Sequence, residues 1–219
     1  MVECDIRLTS DGEIVVFHDA TLERLTSHSS KLSDFSFADL RANVRLRGAD
    51  GKPGDECIPS FSEFLSVLSA QSKSAVGLFV EIKESAPCLL ERLVEMLRDF
   101  PPALPLTLGS FLPEVTDFLI AHKNQLPDQT QLLVLFEKLD HDVSELRKMR
   151  QNGITLLGLD QSLLSNKDVQ SAHEAGLKVW AWTANSEDDL RRMVAIGVDG
   201  IISDNPAVTR KIVDKAFAG

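Results

Sequence analysis

Three consecutive stretches set the reading of the whole chain: Val2-Glu3-Cys4-Asp5-Ile6-Arg7-Leu8, Thr9-Ser10-Asp11-Gly12 and Glu13-Ile14-Val15-Val16-Phe17-His18. The outer two are strand-like, and Asp-Gly between them is a strong signal for a two-residue hairpin turn. With Asp11 and Gly12 as the turn, Ser10 pairs with Glu13, Leu8 with Val15, Ile6 with Phe17 and Asp5 with His18. Directly paired residues share a face. One face then carries Leu8, Val15, Ile6 and Phe17, and the other carries Glu3, Asp5 and His18. Two carboxylates and an imidazole on a hairpin of Val, Ile and Phe are costly to bury unpaired, which points to a cation. A plainly solvated face accounts for the same pattern.

Outward from this hairpin, further strands are expected at Leu78–Lys83, Pro105–Ser110, Gln131–Phe136, Ile154–Leu159, Leu177–Trp182 and Asp199–Ser203. Amphipathic helices lie between the later ones. Ser60-Phe61-Ser62-Glu63 reads as a capping box, with Phe61, Phe64, Leu65 and Leu68 at helical spacing. Leu89, Leu93, Met96 and Leu97 stripe a second helix, and Val115, Phe118 and Leu119 a third. Ser186 and Asp189 open another that ends at Gly197, and Asn205-Pro206 starts the last. Repeated strand-then-helix units imply a parallel sheet with helices outside it, either doubly wound or a barrel. No Gly-x-Gly-x-x-Gly follows a strand, so a dinucleotide-binding fold is unsupported. Residues 26–59 are polar and irregular apart from a helical patch at Phe37–Leu46. They read as a rim insertion within a single domain spanning 1–219.

A second polar intrusion lies in Leu78-Phe79-Val80-Glu81-Ile82-Lys83. Glu81 and Lys83 share one face of a run that is otherwise apolar. A buried parallel strand normally reads as continuously apolar, so charges at its end mark a site or an edge-strand ion pair. Glu3, Asp5 and Glu81 make an oxygen-only donor set, which suits Mg²⁺ or Ca²⁺ better than Zn²⁺. Late in the chain Trp180 and Trp182 share a face, a wall for a ligand or part of the core. Asp204 ends the last strand, as suited to capping a turn as to touching substrate.

Composition narrows the classes. Of 219 residues, 43% are hydrophobic and 26% charged, which excludes a disordered or collagen-like chain. The net charge of -10 disfavours nucleic acid as a partner. A phosphate ligand would need a metal or a few local cations. No apolar run is long enough to span a membrane, and no signal sequence opens the chain. Cys4, Cys57 and Cys88 read as free thiols, suited to a reducing, cytoplasmic setting. A longer form could be membrane-associated.

Several segments in order carry a family resemblance: Val2-Glu3-Cys4-Asp5, Leu8-Thr9-Ser10-Asp11-Gly12 and Val15-Val16-Phe17-His18-Asp19, with Thr21-Leu22-Glu23-Arg24 in register. Ile58-Pro59-Ser60-Phe61-Ser62-Glu63, Glu81-Ile82-Lys83, Trp182-Thr183-Ala184-Asn185 and Gly197 to Pro206 complete the order. Together they resemble the glycerophosphodiester phosphodiesterase family over nearly the whole chain. The resemblance implies an α/β fold of the TIM (β/α)₈-barrel type and metal-dependent hydrolysis of glycerophosphodiesters or lysophospholipids to a glycerol phosphate and an alcohol. It implies Glu3, Asp5 and Glu81 as ligands of one Mg²⁺ or Ca²⁺. It implies His18 as one of two acid/base histidines. Lys83 would bind phosphate or order the carboxylates, and Trp182 would line the substrate pocket.

The sequence departs from the family pattern at one point. No His-Arg dipeptide occurs, whereas the family carries His-Arg-Gly on a strand before Glu-x-Asp. The expectation is therefore a barrel lacking its first strand and helix, with impaired activity and self-association through open edges. A barrel that binds a cation or phosphodiester without turnover is the rival reading. A sphingomyelinase D-like enzyme shares the chemistry but fits Glu81-Ile82-Lys83 and Trp182 less well.

Overall fold

The computed structural model describes residues 1–48, 50–70, 76–98, 100–101 and 103–217. They form two compact units, Met1–Thr130 and Gln131–Gly219.

In the first unit the strands are β1 (Val2–Leu8), β2 (Ile14–Val16), β3 (Leu78–Ile82) and β4 (Leu106–Ser110). Their order is β2-β1-β3-β4, with β2 antiparallel to β1 and the other pairs parallel. The helices are α1 (Phe37–Asn43), α2 (Phe61–Ala70), α3 (Pro87–Leu97) and α4 (Pro113–Ala121). The Ser60–Glu63 capping box forms as read: Ser60 N donates to Glu63 Oε2 at 2.8 Å, and Glu63 N donates to Ser60 Oγ at 3.1 Å. Leu89, Leu90, Leu93, Val94 and Leu97 give α3 its buried face.

The hairpin forms, but its register differs from the expected one by one residue. Ile6 pairs with Val16, Arg7 with Val15 and Leu8 with Ile14. The connection is a three-residue loop, with Gly12 N donating to Thr9 O at 3.0 Å and Thr9 N to Glu13 O at 3.0 Å. Gly12 takes φ +81°, the left-handed position that closes loops of this length. The Thr9 hydroxyl decides the matter: it donates to Asp11 Oδ1 at 2.6 Å and accepts from Glu13 N at 2.9 Å. Val15 and Phe17 consequently share the face of Asp5 and Arg7, not that of Ile6.

The segment read as an irregular insertion, 26–59, packs a core together with β2 and the chain that follows it. Val15, Phe17, Leu22, Leu32, Leu40, Val44 and Ile58 are buried together, with Leu25, Phe35, Phe37 and Leu46 packed around them. Of the expected helical patch, Phe37–Asn43 is helix, capped by Ser36 Oγ accepting from Asp39 N.

In the second unit β5 (Thr130–Phe136), β6 (Leu156–Asp160), β7 (Lys178–Trp182) and β8 (Gly200–Ile201) run parallel in that order. They alternate with α5 (Val143–Gln151), α6 (Asn166–Glu174), α7 (Glu187–Ile196) and α8 (Pro206–Phe217). Ser186 caps α7 and Gly197, at φ +81°, ends it as the sequence predicts. Trp180 lies against Gly200, where an added Cβ would sit 2.5 Å from the indole, so Trp180 is a packing residue.

Candidate metal and phosphodiester site

The acidic cluster follows from strand register. Asp5 on β1 lies directly beside Glu81 on β3, and Glu3 precedes Asp5 by two residues on the same face. The three side chains each offer a carboxylate oxygen, and these oxygens lie within 4.8 Å of one another. The sequence-predicted donor set is thus brought together even though the hairpin register differs.

Lys83, two residues beyond Glu81, turns to the same face. Its Nζ donates to Asp5 Oδ1 at 3.0 Å and also hydrogen-bonds Glu81. The ammonium and both carboxylates are largely enclosed, with side-chain exposures of 13%, 17% and 12%. When ionised, the three carboxylates and one ammonium leave the cluster two charges negative. Burial accordingly holds the Glu81 carboxyl above its ordinary pKa, despite the opposing pull of Lys83, and Asp5 adds to the rise. Buried Cys4, between Glu3 and Asp5 in sequence, has its thiol pushed up by burial and by both carboxylates, so it is an inert thiol. A compact, oxygen-only, under-neutralised cluster fits a hard divalent cation.

His18 follows β2 in a bend rather than standing opposite Asp5. Phe17 takes that place, its N donating to Asp5 O at 3.0 Å. The His18 carbonyl accepts from Arg7 Nε at 2.9 Å, and Arg7 is held by Glu84 at 2.9 Å. The ring turns to Asp19, with Nδ1 2.6 Å from Oδ1. Asp19 Oδ2 in turn accepts from Arg24 Nε at 2.6 Å. A protonated His18 would lower the Glu81 pKa, and Asp5 raises that of Arg24, so this chain of side chains lies within electrostatic reach of the cluster. Asp19, Arg24, Arg7 and Glu84 were not legible as site residues. Asp19 and Arg24 both stand in segments that carry the family resemblance, but Arg24 lies in irregular chain where no periodicity assigns a face.

The remaining candidates sort by unit. In the first, His28 pairs with the Asn43 carbonyl at 3.2 Å and His122 stacks on Phe118 at 3.9 Å. In the second, Trp182 ends β7 half-buried, in register with Asp160, its carbonyl accepting from Gln161 N at 2.8 Å. Asp204 is held by Asn185 Nδ2 at 2.7 Å and ties the loops after β7 and β8 together.

The model of the glycerophosphoryl diester phosphodiesterase family matches residues 1–208. The chain belongs to this family. A glycerophosphodiester phosphodiesterase of Bacillus altitudinis is 28% identical over 218 residues, covering 96% of this chain and 85% of that protein. A lysophospholipase D of Rattus norvegicus is 23% identical, covering 100% of this chain and 78% of its own. Among solved structures, a phosphodiesterase of Oleispira antarctica in complex with the product sn-glycerol-3-phosphate superposes with a TM-score of 0.82 at 25% identity, covering 97% and 84% of the two chains. The α/β fold class of TIM-barrel type expected from the sequence is therefore that of the family, whose members are phosphoric diester hydrolases.

Proposed function

We propose that this glycerophosphodiester phosphodiesterase-family chain hydrolyses glycerophosphodiesters, with lysophospholipids as the alternative substrate class, to a glycerol phosphate and an alcohol. The convergence of Glu3, Asp5 and Glu81 around Lys83, in a chain of this family, carries the reading. In the net reaction one phosphorus–oxygen bond to the alcohol breaks and one to the oxygen of water forms. The proton from water ends on the alcohol oxygen, and no oxidation state changes.

Glu3, Asp5 and Glu81 would hold a single Mg²⁺ or Ca²⁺, which supplies positive charge against the phosphoryl group. Lys83, already between Asp5 and Glu81, orders these carboxylates and offers its ammonium to a phosphoryl oxygen. His18 moves the proton, giving it to the leaving alcohol. Trp182 is assigned to the substrate pocket on the family resemblance alone, and Trp182→Ala tests that through KM.

The same acidic cluster also allows a second reading, in which these residues bind a cation and a phosphodiester without turnover. Product release from glycerophosphocholine and lysophosphatidylcholine, with Mg²⁺, with Ca²⁺ and with chelator, separates the two. Turnover that chelator and Glu81→Gln both abolish supports the enzyme. Calorimetric binding of the cation without product supports the second reading. Turnover indifferent to chelator and to Glu81→Gln overturns the assignment of the cluster.

A further inference from the structure

We propose that Asp19, held by Arg24, is a positioning residue that fixes His18 in one tautomer, with the proton on Nδ1 and Nε2 presented for proton exchange. The inference rests on the reading of His18 as the proton-moving group, but its geometry is independent of that reading. Neutral imidazole has two tautomers, and which nitrogen keeps the proton is set by the hydrogen bond the other partner offers. Here a carboxylate oxygen lies 2.6 Å from Nδ1. An ionised carboxylate accepts and cannot donate, so Nδ1 must carry the hydrogen.

That argument requires Asp19 to be ionised and fixed, and Arg24 secures both. Its Nε donates to Oδ2 at 2.6 Å while Oδ1 serves His18, so each oxygen of the one carboxylate has its own partner. The hydrogen bond from Arg24, ahead of that from His18, holds the Asp19 carboxyl below its ordinary pKa. A guanidinium stays charged throughout the working range, so the anchor does not titrate away. The backbone of His18 is fixed separately, through Arg7 Nε on its carbonyl and Phe17 N on Asp5 O. With the main chain held by those bonds, the side-chain pair Asp19–Arg24 controls the remaining freedom, which is the ring.

The pair is too exposed to be explained by stability alone. The His18 side chain is 56% exposed and that of Arg24 59%, and ion pairs in that setting contribute little. Direction is what they supply. In the fixed tautomer the Nε2 lone pair accepts a proton, and the resulting imidazolium returns it from Nε2 to an alcohol oxygen, regenerating the neutral Nδ1–H ring. With the proton on Nε2 instead, the neutral ring has no lone pair at that atom.

The test uses the full chain labelled with ¹⁵N at histidine and long-range ¹H–¹⁵N correlation at a pH where the rings are neutral. Loss of one signal in His18→Gln assigns it. In the parent the His18 pattern should be that of Nδ1–H. In Asp19→Asn, whose amide can donate to Nδ1, the proton should move to Nε2, while Arg24→Ala should give a mixture and Arg24→Lys a partial return. Turnover supplies the second readout: Asp19→Asn should lower kcat by about 10- to 100-fold with KM within about threefold. A parent in the Nε2–H form, or an Asp19→Asn spectrum identical to it, overturns the proposal whether or not the chain turns over substrate. The expected spectra in a chain without turnover uphold the positioning chain and defeat only the hydrolase reading.

Discussion

Parallel register sets Glu81 beside Asp5 in an enclosed cluster, and burial above all, with Asp5 adding to it, makes a carboxyl that resists ionising. The sign of its contribution to stability is fixed by linkage. A group whose folded pKa lies above its unfolded one binds more protons in the folded state, so stability falls as pH rises between the two values. In chelator, urea unfolding of the parent should therefore show stability present below the ordinary glutamate pKa and lost as pH rises through the raised one. Glu81→Gln should flatten that slope, because Lys83 keeps Asp5 as a partner. Mg²⁺ or Ca²⁺ should restore stability to the parent at neutral pH and leave the variant unmoved. An equal response of the two proteins to the ion would remove Glu81 from the ligand set. Asp19 runs the opposite way. Its carboxyl is held low, chiefly by Arg24, so its contribution is present above the unfolded pKa and lost as pH falls through the folded one.

At the scale of elements, the hairpin shows what local sequence can and cannot say. Strand β1 was legible to the residue, and the Ser60, Ser186 and Asn205-Pro206 helix starts were legible because a cap is a local event. The turn was not, because Asp11 serves two masters: it bonds the Thr9 hydroxyl and accepts from Phe37 N at 3.0 Å, 26 residues away. Gly12→Ala should cost about 1–2 kcal/mol in urea unfolding, since φ +81° is closed to most side chains. The small core of residues 15–58 was hidden for a related reason: outside the strand-like Val15 and Phe17 and the helically spaced Phe37, Leu40 and Val44, its apolar residues follow no period, and the pieces meet only in three dimensions. That core brackets the site, because Phe17 and Leu22 flank His18 and Asp19 in sequence and pack with buried Leu40. Leu40→Ala should destabilise the cluster by about 2–5 kcal/mol. Hydrogen exchange at Leu22, Thr26 and Leu32 should accelerate, and kcat should fall with it. Unchanged exchange at those amides would mean the cluster does not hold the segment.

For the whole molecule, charge is the property that no single element determines. The chain carries -10, with a sequence pI of about 5.0, and one bound divalent ion leaves it strongly negative. No helix among the described residues is long and apolar enough to cross a membrane. Substrates therefore meet a repulsive field before they meet Lys83, and the size of the effect depends on their own net charge. Glycerophosphocholine is zwitterionic and feels little of it; a glycerophosphodiester with a neutral alcohol, such as glycerophosphoglycerol, is anionic and is repelled. Salt screens the repulsion, the Debye length shrinking from about 20 Å to about 7 Å between roughly 20 and 200 mM. Raising ionic strength over that range should increase kcat/KM for glycerophosphoglycerol severalfold while glycerophosphocholine changes by less than about twofold, so the preference between them narrows. Steady-state rates for both substrates at constant free cation make the comparison. If kcat/KM for the anionic substrate falls with salt, attraction by local cations at the site, Lys83 and Arg24 foremost, outweighs the field of the whole chain. Lys83→Gln and Arg24→Gln would then reverse the slope.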